Sequence, residues 1–434
     1  MRLSIDKLIY GGDGLARLPS DEHGRGKAVF VPFSVPGEVV EAKLTEQKPG
    51  FARAMIDDVI TASTARVDPG CEYFTRCGGC HYQHISYESQ VAFKAEILRE
   101  NFLRLAKVDL PREIQVHNSP PWEYRNRSRF QIRSKGEVTI GYYRLATHNV
   151  LEIERCPISS PLINHALSAL RVFCKRSAIP TGITEAEFFA DAEDERLLIE
   201  LTCTAETDRK TAQAWTEKLQ AAIPGTMGVV LFQRRGLDGS GDDGASKPLL
   251  SVGNDHFAYQ VGKNSYRISA GAFFQINRYQ IDELLKIATQ NRAGDSAIDL
   301  YAGVGLFTVP LALSFRHIRA VESSPISHGD LLHNAPENVK TVRSTTERFL
   351  EQAVRKAPPE LIIVDPPRNG LGRKVSQQLA EWRSPRITYV SCDPSTLARD
   401  LVPMIAAGYR IEDAHLVDLF PQTYHIETVL HLVR

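Results

Sequence analysis

Residues 296–312, SAIDLYAGVGLFTVPLA, decide the fold. An apolar run of strand length ends at Asp299 and Leu300, turns at Gly303 and Gly305, and resumes with helical character. In an open α/β sheet, ligands bind where a strand hands over to a helix. Thr308 stands where a dinucleotide fingerprint has its third glycine. That disfavours a pyrophosphate packed on the helix N-terminus and suits an adenosine ligand without phosphate. Working outward, helices alternate with apolar strands through IRAVES, ELIIVDPP, ITYVSC and AHLVDLF to ETVLHLVR. Strands so uniformly apolar predict a parallel sheet covered on both faces. Residues 274–434 therefore read as a doubly wound, Rossmann-like α/β domain.

The rest of the chain has a different texture. Residues 1–63 read as short strands split by glycine and proline, the pattern of a small OB-like β-barrel. Residues 64–273 open with a cysteine-rich connector, continue through the helical stretch YESQVAFKAEILRENFLRLA, and become a mixed α/β central domain with a helix around 166–175. Within it GLDGSGDDGASKP, residues 236–248, reads as a mobile hairpin loop without assigned function. A chain of 434 residues needs more than one hydrophobic core. With 52 basic and 52 acidic side chains, the whole-molecule field does not draw in a polyanion, so nucleic-acid binding must rest on local basic patches. No apolar run reaches the ~20 residues of a membrane span, and the N-terminus lacks a signal-peptide core. The expectation is a cytoplasmic protein without membrane association or an evident obligate protein partner.

Each later strand end offers one reactive side chain. IRAVES ends in Glu322, at the spacing where a carboxylate accepts from both ribose hydroxyls, although a solvated loop acid reads equally well there. ELIIVDPP ends in Asp365, held at the sheet edge by the fixed backbone of Pro366 and Pro367. This order of glycine turn and acids resembles an S-adenosylmethionine methyltransferase more than an NAD enzyme. ITYVSC ends in Cys392, ahead of a helix whose N-terminus would favour a thiolate. Alone, such a cysteine more often packs than reacts. C5 of uracil becomes nucleophilic only after a group such as a thiolate adds to C6, and a base must then take the C5 proton so that the cysteine can leave. Glu427, in YHIETVLHL, is the candidate base.

Taken together, FFQIN, DLYAGVGLF, DPPRNGL, YVSCDPSTLARDL and HIETVLHL resemble the RNA uracil-5 methyltransferases over the whole C-terminal domain. The resemblance implies Cys392 as nucleophile and Glu427 as base, with Gln275, Tyr301, Glu322 and Asp365 contacting the cofactor beside Gly303 and Gly305. Leu306 departs from the pattern, since many members carry a polar residue there; a cofactor contact at that position is absent or made through backbone.

Cys71, Cys77 and Cys80 form C-x5-C-x2-C, and Cys156 in ERCPIS supplies a distant fourth thiol. The spacing suits a cuboidal iron-sulfur cluster or a four-thiolate zinc site and leaves both open. The resemblance implies a 4Fe-4S cluster, carried by the branch acting on ribosomal RNA beside a TRAM domain, which residues 1–63 resemble. It thereby points to 23S rRNA, although some relatives with the same parts modify tRNA. Cys174 and Cys203 read as small buried hydrophobes. In EYRNRSRFQIRSK, Arg125, Arg127, Arg129 and Arg133 recur at even spacing, so a strand presents them on one face, with Phe130 and Ile132 on the other. That face is an RNA phosphate stripe or a solvated edge; the family has a similar arginine-rich segment. Two rival readings stand: an amino-methyltransferase, which needs no thiol, and an inactive RNA-binding protein that kept barrel and cluster.

Overall fold

The strand Gly294–Leu300 lies inside an eight-stranded sheet, paired in parallel with Phe315–Glu322 on one side and Leu361–Val364 on the other. Val339–Arg343 and Arg386–Ser391 extend the parallel array in the two directions. The expected uniformity ends there: Glu427–Val433 runs antiparallel to both Arg386–Ser391 and Arg410–Val417. A strand buried on both faces is apolar throughout whichever way it runs, so hydropathy does not encode its direction. The eighth strand, Gln115–His117, comes from far upstream and pairs in parallel with Arg410–Val417. This computed structural model describes residues 1–18, 26–134, 136–234 and 248–434; of the stretch 236–248 only Pro248 lies among them.

Period-2 alternation divides the sheet's side chains between two cores. Ile298, Leu300, Ile362, Val364, Tyr389 and Leu430 pack on one face with Leu98 and Phe102 of the upstream helical stretch and Leu397 and Leu401. Ala297, Ile363, Val390 and Val429 pack on the other with Phe274, Leu284 and Leu285. The helix Pro394–Ala406 starts with proline at its first position, and the Asp393 carboxylate accepts from the Ser395 and Thr396 amides, both at 2.9 Å. From the same helix, Asp400 accepts from the Leu371 amide at 2.6 Å and the Tyr389 hydroxyl at 2.9 Å, clamping the DPPRNGL turn.

Helix Tyr87–Asn101 holds the segment leading into the last strand. Its fully buried Lys94 donates to Asp418 Oδ1 at 2.7 Å and to the Phe420 carbonyl at 3.0 Å. Gln90 exchanges two hydrogen bonds of 2.9 Å with Gln422. In the central region a seven-stranded, mostly antiparallel sheet carries the helices Pro161–Arg176 and Arg209–Ala222. Ser160 and Asp208 cap them through the Ile163 and Thr211 amides. The N-terminal six strands form a half-barrel, with Arg2–Ser4 pairing at one end of the strand order and Lys7–Leu8 at the other. Among the described residues no helix is long and apolar enough to cross a membrane.

Candidate active site

The turn after Gly294–Leu300 is shaped by backbone that few residues tolerate. Tyr301, Gly303 and Gly305 have φ of 62°, 55° and 96°. A bulky residue such as Tyr301 in the left-handed region is held there against steric cost, as is common at binding sites. A Cβ on Gly305 would lie 2.9 Å from Leu331 Cδ1, so glycine is needed for packing as well as conformation. Glu322 accepts from the Gly303 amide at 2.8 Å through Oε2 and from the Ser324 amide at 2.6 Å through Oε1. Each carboxylate oxygen keeps a lone pair for a ligand hydroxyl. Asp299 is wholly buried and supports the turn from behind: Thr308 Oγ1 donates to its Oδ2 at 2.5 Å. Burial raises its carboxyl to about 7. Thr308, read from sequence as a missing glycine, is thus a partner for this acid.

Tyr301, Gly303, Glu322, Gln275, Asp365, Cys392 and Glu427 all line one cavity of about 1080 Å³. That volume accommodates a nucleoside cofactor and a base together. Gly305 lies under the turn rather than on the wall. Gln275 Nε2 donates to Asp365 Oδ2 at 3.4 Å. Burial lifts Asp365 to about 7. Glu427, the first residue of its strand, is held well above the usual carboxylate range by burial and by the charge of Asp365, with Arg368 opposing. The Cys392 thiol is pushed up to about 12 by burial and then by Glu427 and Asp365. The sequence reading had the following helix favour a thiolate; instead the helix's positive end is already engaged by the Asp393 carboxylate. Arg368, whose Nη2 lies 3.3 Å from His425 Nε2, is a cavity residue quoted within a motif but given no role from sequence. Phe420 and His425 complete that wall.

The four arginines part company. Phe130 and Ile132 are buried opposite them, as alternation requires. Arg125 lines the cavity. Arg127 lies 2.6 Å from Glu187 and 2.5 Å from Glu200, and Arg129 pairs with Glu187 at 2.8 Å. Arg133 is exposed and donates to the His148 carbonyl. Facing carboxylates on neighbouring strands, invisible as partners in a linear pattern, therefore meet two of the four charges.

Cys77 and Cys80 pack against the same core as buried Cys156. Burial raises Cys77 to about 11 and Cys80 to about 12, and the neighbouring charge of Cys156 raises both, as it does Cys71. Cys71, Cys77 and Cys80 thus each have Cys156 as a neighbour. Among the described residues no group of three or more His, Cys, Asp or Glu side chains is placed to hold a single metal ion. Cys174 and Cys203 are buried, as read.

Successive strand ends bearing a glycine turn, two acids and a thiol over one cavity define an S-adenosylmethionine-dependent methyltransferase. The pattern of the tRNA (Uracil-5-)-methyltransferase family matches residues 86–434, and that of the TRAM domain matches residues 1–56. An uncharacterized RNA methyltransferase of Aquifex aeolicus is 33% identical over 440 residues, covering 99% of this chain and 97% of its own. The 23S rRNA (uracil(1939)-C(5))-methyltransferase RlmD of Pseudomonas savastanoi pv. phaseolicola is 30% identical, with 99% and 92% covered. The crystal structure of the Pyrococcus abyssi tRNA (uracil-54, C5)-methyltransferase with S-adenosyl-L-homocysteine superposes with a TM-score of 0.74 at 22% identity, covering both chains completely. The chain belongs to the tRNA (uracil-5-)-methyltransferase family, the RNA methyltransferases that use S-adenosylmethionine at C5 of uracil.

Proposed function

We propose that the protein methylates C5 of a uridine in 23S rRNA in the cytoplasm, with Cys392 as nucleophile and Glu427 as base. The observation that carries this reading is the meeting of Cys392, Glu427, Asp365 and the Gly303 turn on one cavity. Full-length similarity to RlmD proteins supports the ribosomal target. Gln275, Tyr301, Gly303, Glu322 and Asp365 hold S-adenosylmethionine, with Gly305 shaping the turn, and their open wall with free acceptor positions fits it. That group supplies an electrophilic methyl.

The chain's own residues do the rest. The Cys392 thiol loses its proton and Sγ adds to C6 of a flipped-out uracil, placing negative charge on the enolate, which C5 uses to take the methyl. A Glu427 carboxylate removes the C5 proton, the C6–S bond breaks, and the thiolate returns. Because burial raises both groups, kcat rises with pH as the thiol that attacks and the carboxyl that serves as base each give up a proton. Arg125 and Arg133 meet RNA directly. Arg127 and Arg129 hold that strand through Glu187 and Glu200. The half-barrel of residues 1–63 and the region 64–273 gather RNA around the catalytic region, residues 274–434.

Cys71, Cys77, Cys80 and Cys156 hold a 4Fe-4S cluster, which ties the connector to the central sheet and takes no part in methyl transfer. Three thiols that each neighbour Cys156 fit it: a cuboidal cluster binds each thiolate to a separate iron, so its ligands need not converge on one point as those of zinc do. Iron and sulfide at four per chain in anaerobically purified protein support this; stoichiometric zinc overturns it.

The test of the function is methyl transfer from labelled S-adenosylmethionine to unmodified 23S rRNA, 16S rRNA and tRNA, with nucleoside digestion. 5-Methyluridine in 23S rRNA alone is expected. 5-Methyluridine in tRNA, the substrate named for the Pyrococcus abyssi enzyme, keeps the chemistry and overturns the target. Methyl on another atom overturns the role of Cys392.

A further inference from the structure

The turn of the N-terminal half-barrel that carries Tyr10 reaches the backbone of Cys392 from a distant part of the chain. Tyr10 sits between the strands Lys7–Leu8 and Gly14–Arg17, in YGGDG. Gly12 has φ of +99°, and a Cβ there would lie 3.2 Å from His81 and 3.4 Å from the Tyr424 ring, so glycine lets the turn press against both. The Tyr10 hydroxyl donates to the Cys392 carbonyl at 3.4 Å. Its ring stands edge-on to Tyr424 with centroids 5.5 Å apart, and Tyr424 packs on His425 at 4.3 Å, two residues before Glu427. His425 in turn lies beside Arg368. One side chain therefore touches both segments that deliver the proposed nucleophile and base. Burial and the nearby Asp393 carboxylate keep the phenol protonated and able to donate.

We propose that Tyr10 is a positioning residue that fixes the Cys392 backbone against the Tyr424–Glu427 segment, making the half-barrel part of the catalytic centre as well as an RNA-binding element. The inference rests on the assignment of Cys392 and Glu427 above.

The test compares Tyr10→Phe, which keeps the ring, with Tyr10→Ala. Loss of one neutral hydrogen bond lowers kcat about 2- to 12-fold in the Phe variant, with the Ala variant slower still. KM for RNA and for S-adenosylmethionine stays unchanged. A second readout is alkylation of Cys392 by iodoacetamide in RNA-free protein, followed by mass spectrometry, which is expected to speed up in the same order. Loss confined to KM for RNA overturns the proposal in favour of a direct RNA contact. Wild-type kcat and alkylation rates in both variants overturn it outright. Full turnover in Cys392→Ser is a separate failure, of the assignment beneath it.

Discussion

Replacing Asp299 by Asn should flatten the pH dependence of stability. Asp299 is 0% exposed, its Oδ2 accepts from Thr308, and its Oδ1 meets no donor among the described residues. Burial raises its carboxyl from 3.8 to about 7. Between those values the folded protein holds a proton that the unfolded chain has lost, so stability is fully present at low pH and falls as pH rises towards the folded value. At about 1.4 kcal/mol per pH unit the total is at most about 4 kcal/mol, of which roughly 2.5 kcal/mol falls between pH 5 and pH 8. Asn keeps the acceptor for Thr308 and removes the titration. It leaves an amide N–H donor at the position where Oδ1 meets no partner, so the variant is less stable at pH 5 by about 1–3 kcal/mol. Urea unfolding of ligand-free wild type and Asp299→Asn at four pH values measures the difference, and the curves should converge or cross by pH 8. Curves that stay parallel across this range would refute an elevated Asp299.

Three further outcomes follow from the same geometry. Glu427→Gln should accumulate a covalent protein–RNA species on denaturing gels, because the adduct forms but the C5 proton stays, while Cys392→Ala forms none and loses turnover by at least about 10³-fold. Lys94→Met should cost about 3–5 kcal/mol in urea unfolding by stranding buried Asp418, and Lys94→Met with Asp418→Leu should recover most of it. Arg127→Met should destabilise by a similar amount yet leave the salt dependence of RNA binding unchanged, whereas Arg133→Ala should reduce the slope of log K against log salt by about 1.

The sequence carried the site better than it carried the scaffold around it. Glycines at a strand-to-helix turn and reactive side chains ending apolar strands are local signals, and Gly303, Glu322, Asp365, Cys392 and Glu427 do meet at one cavity. Strand direction is not a local signal, which is why the antiparallel run of Glu427–Val433 did not stand out. Charge pairing is equally non-local: nothing in RNRSR announces that Glu187 and Glu200 will face Arg127. Reactivity fell between the two. The helix after Cys392 was legible, but burial of the thiol, with Glu427 and Asp365 beside it, raises it instead. Tyr10 had no signal at all, because its partner Cys392 is 382 positions away.

The short strand Gln115–His117 has a consequence for synthesis. It belongs to the large C-terminal sheet, joined through Arg410–Val417, yet its partner residues lie about three hundred positions later in the chain. At about 5–20 residues per second it waits roughly 15–60 s for its partner. During that time the central sheet can fold while the edge strand and helix Tyr87–Asn101, whose Lys94 awaits Asp418, remain unpaired. The nascent chain thus has a defined vulnerable interval, when a chaperone or a protease would find these upstream segments exposed.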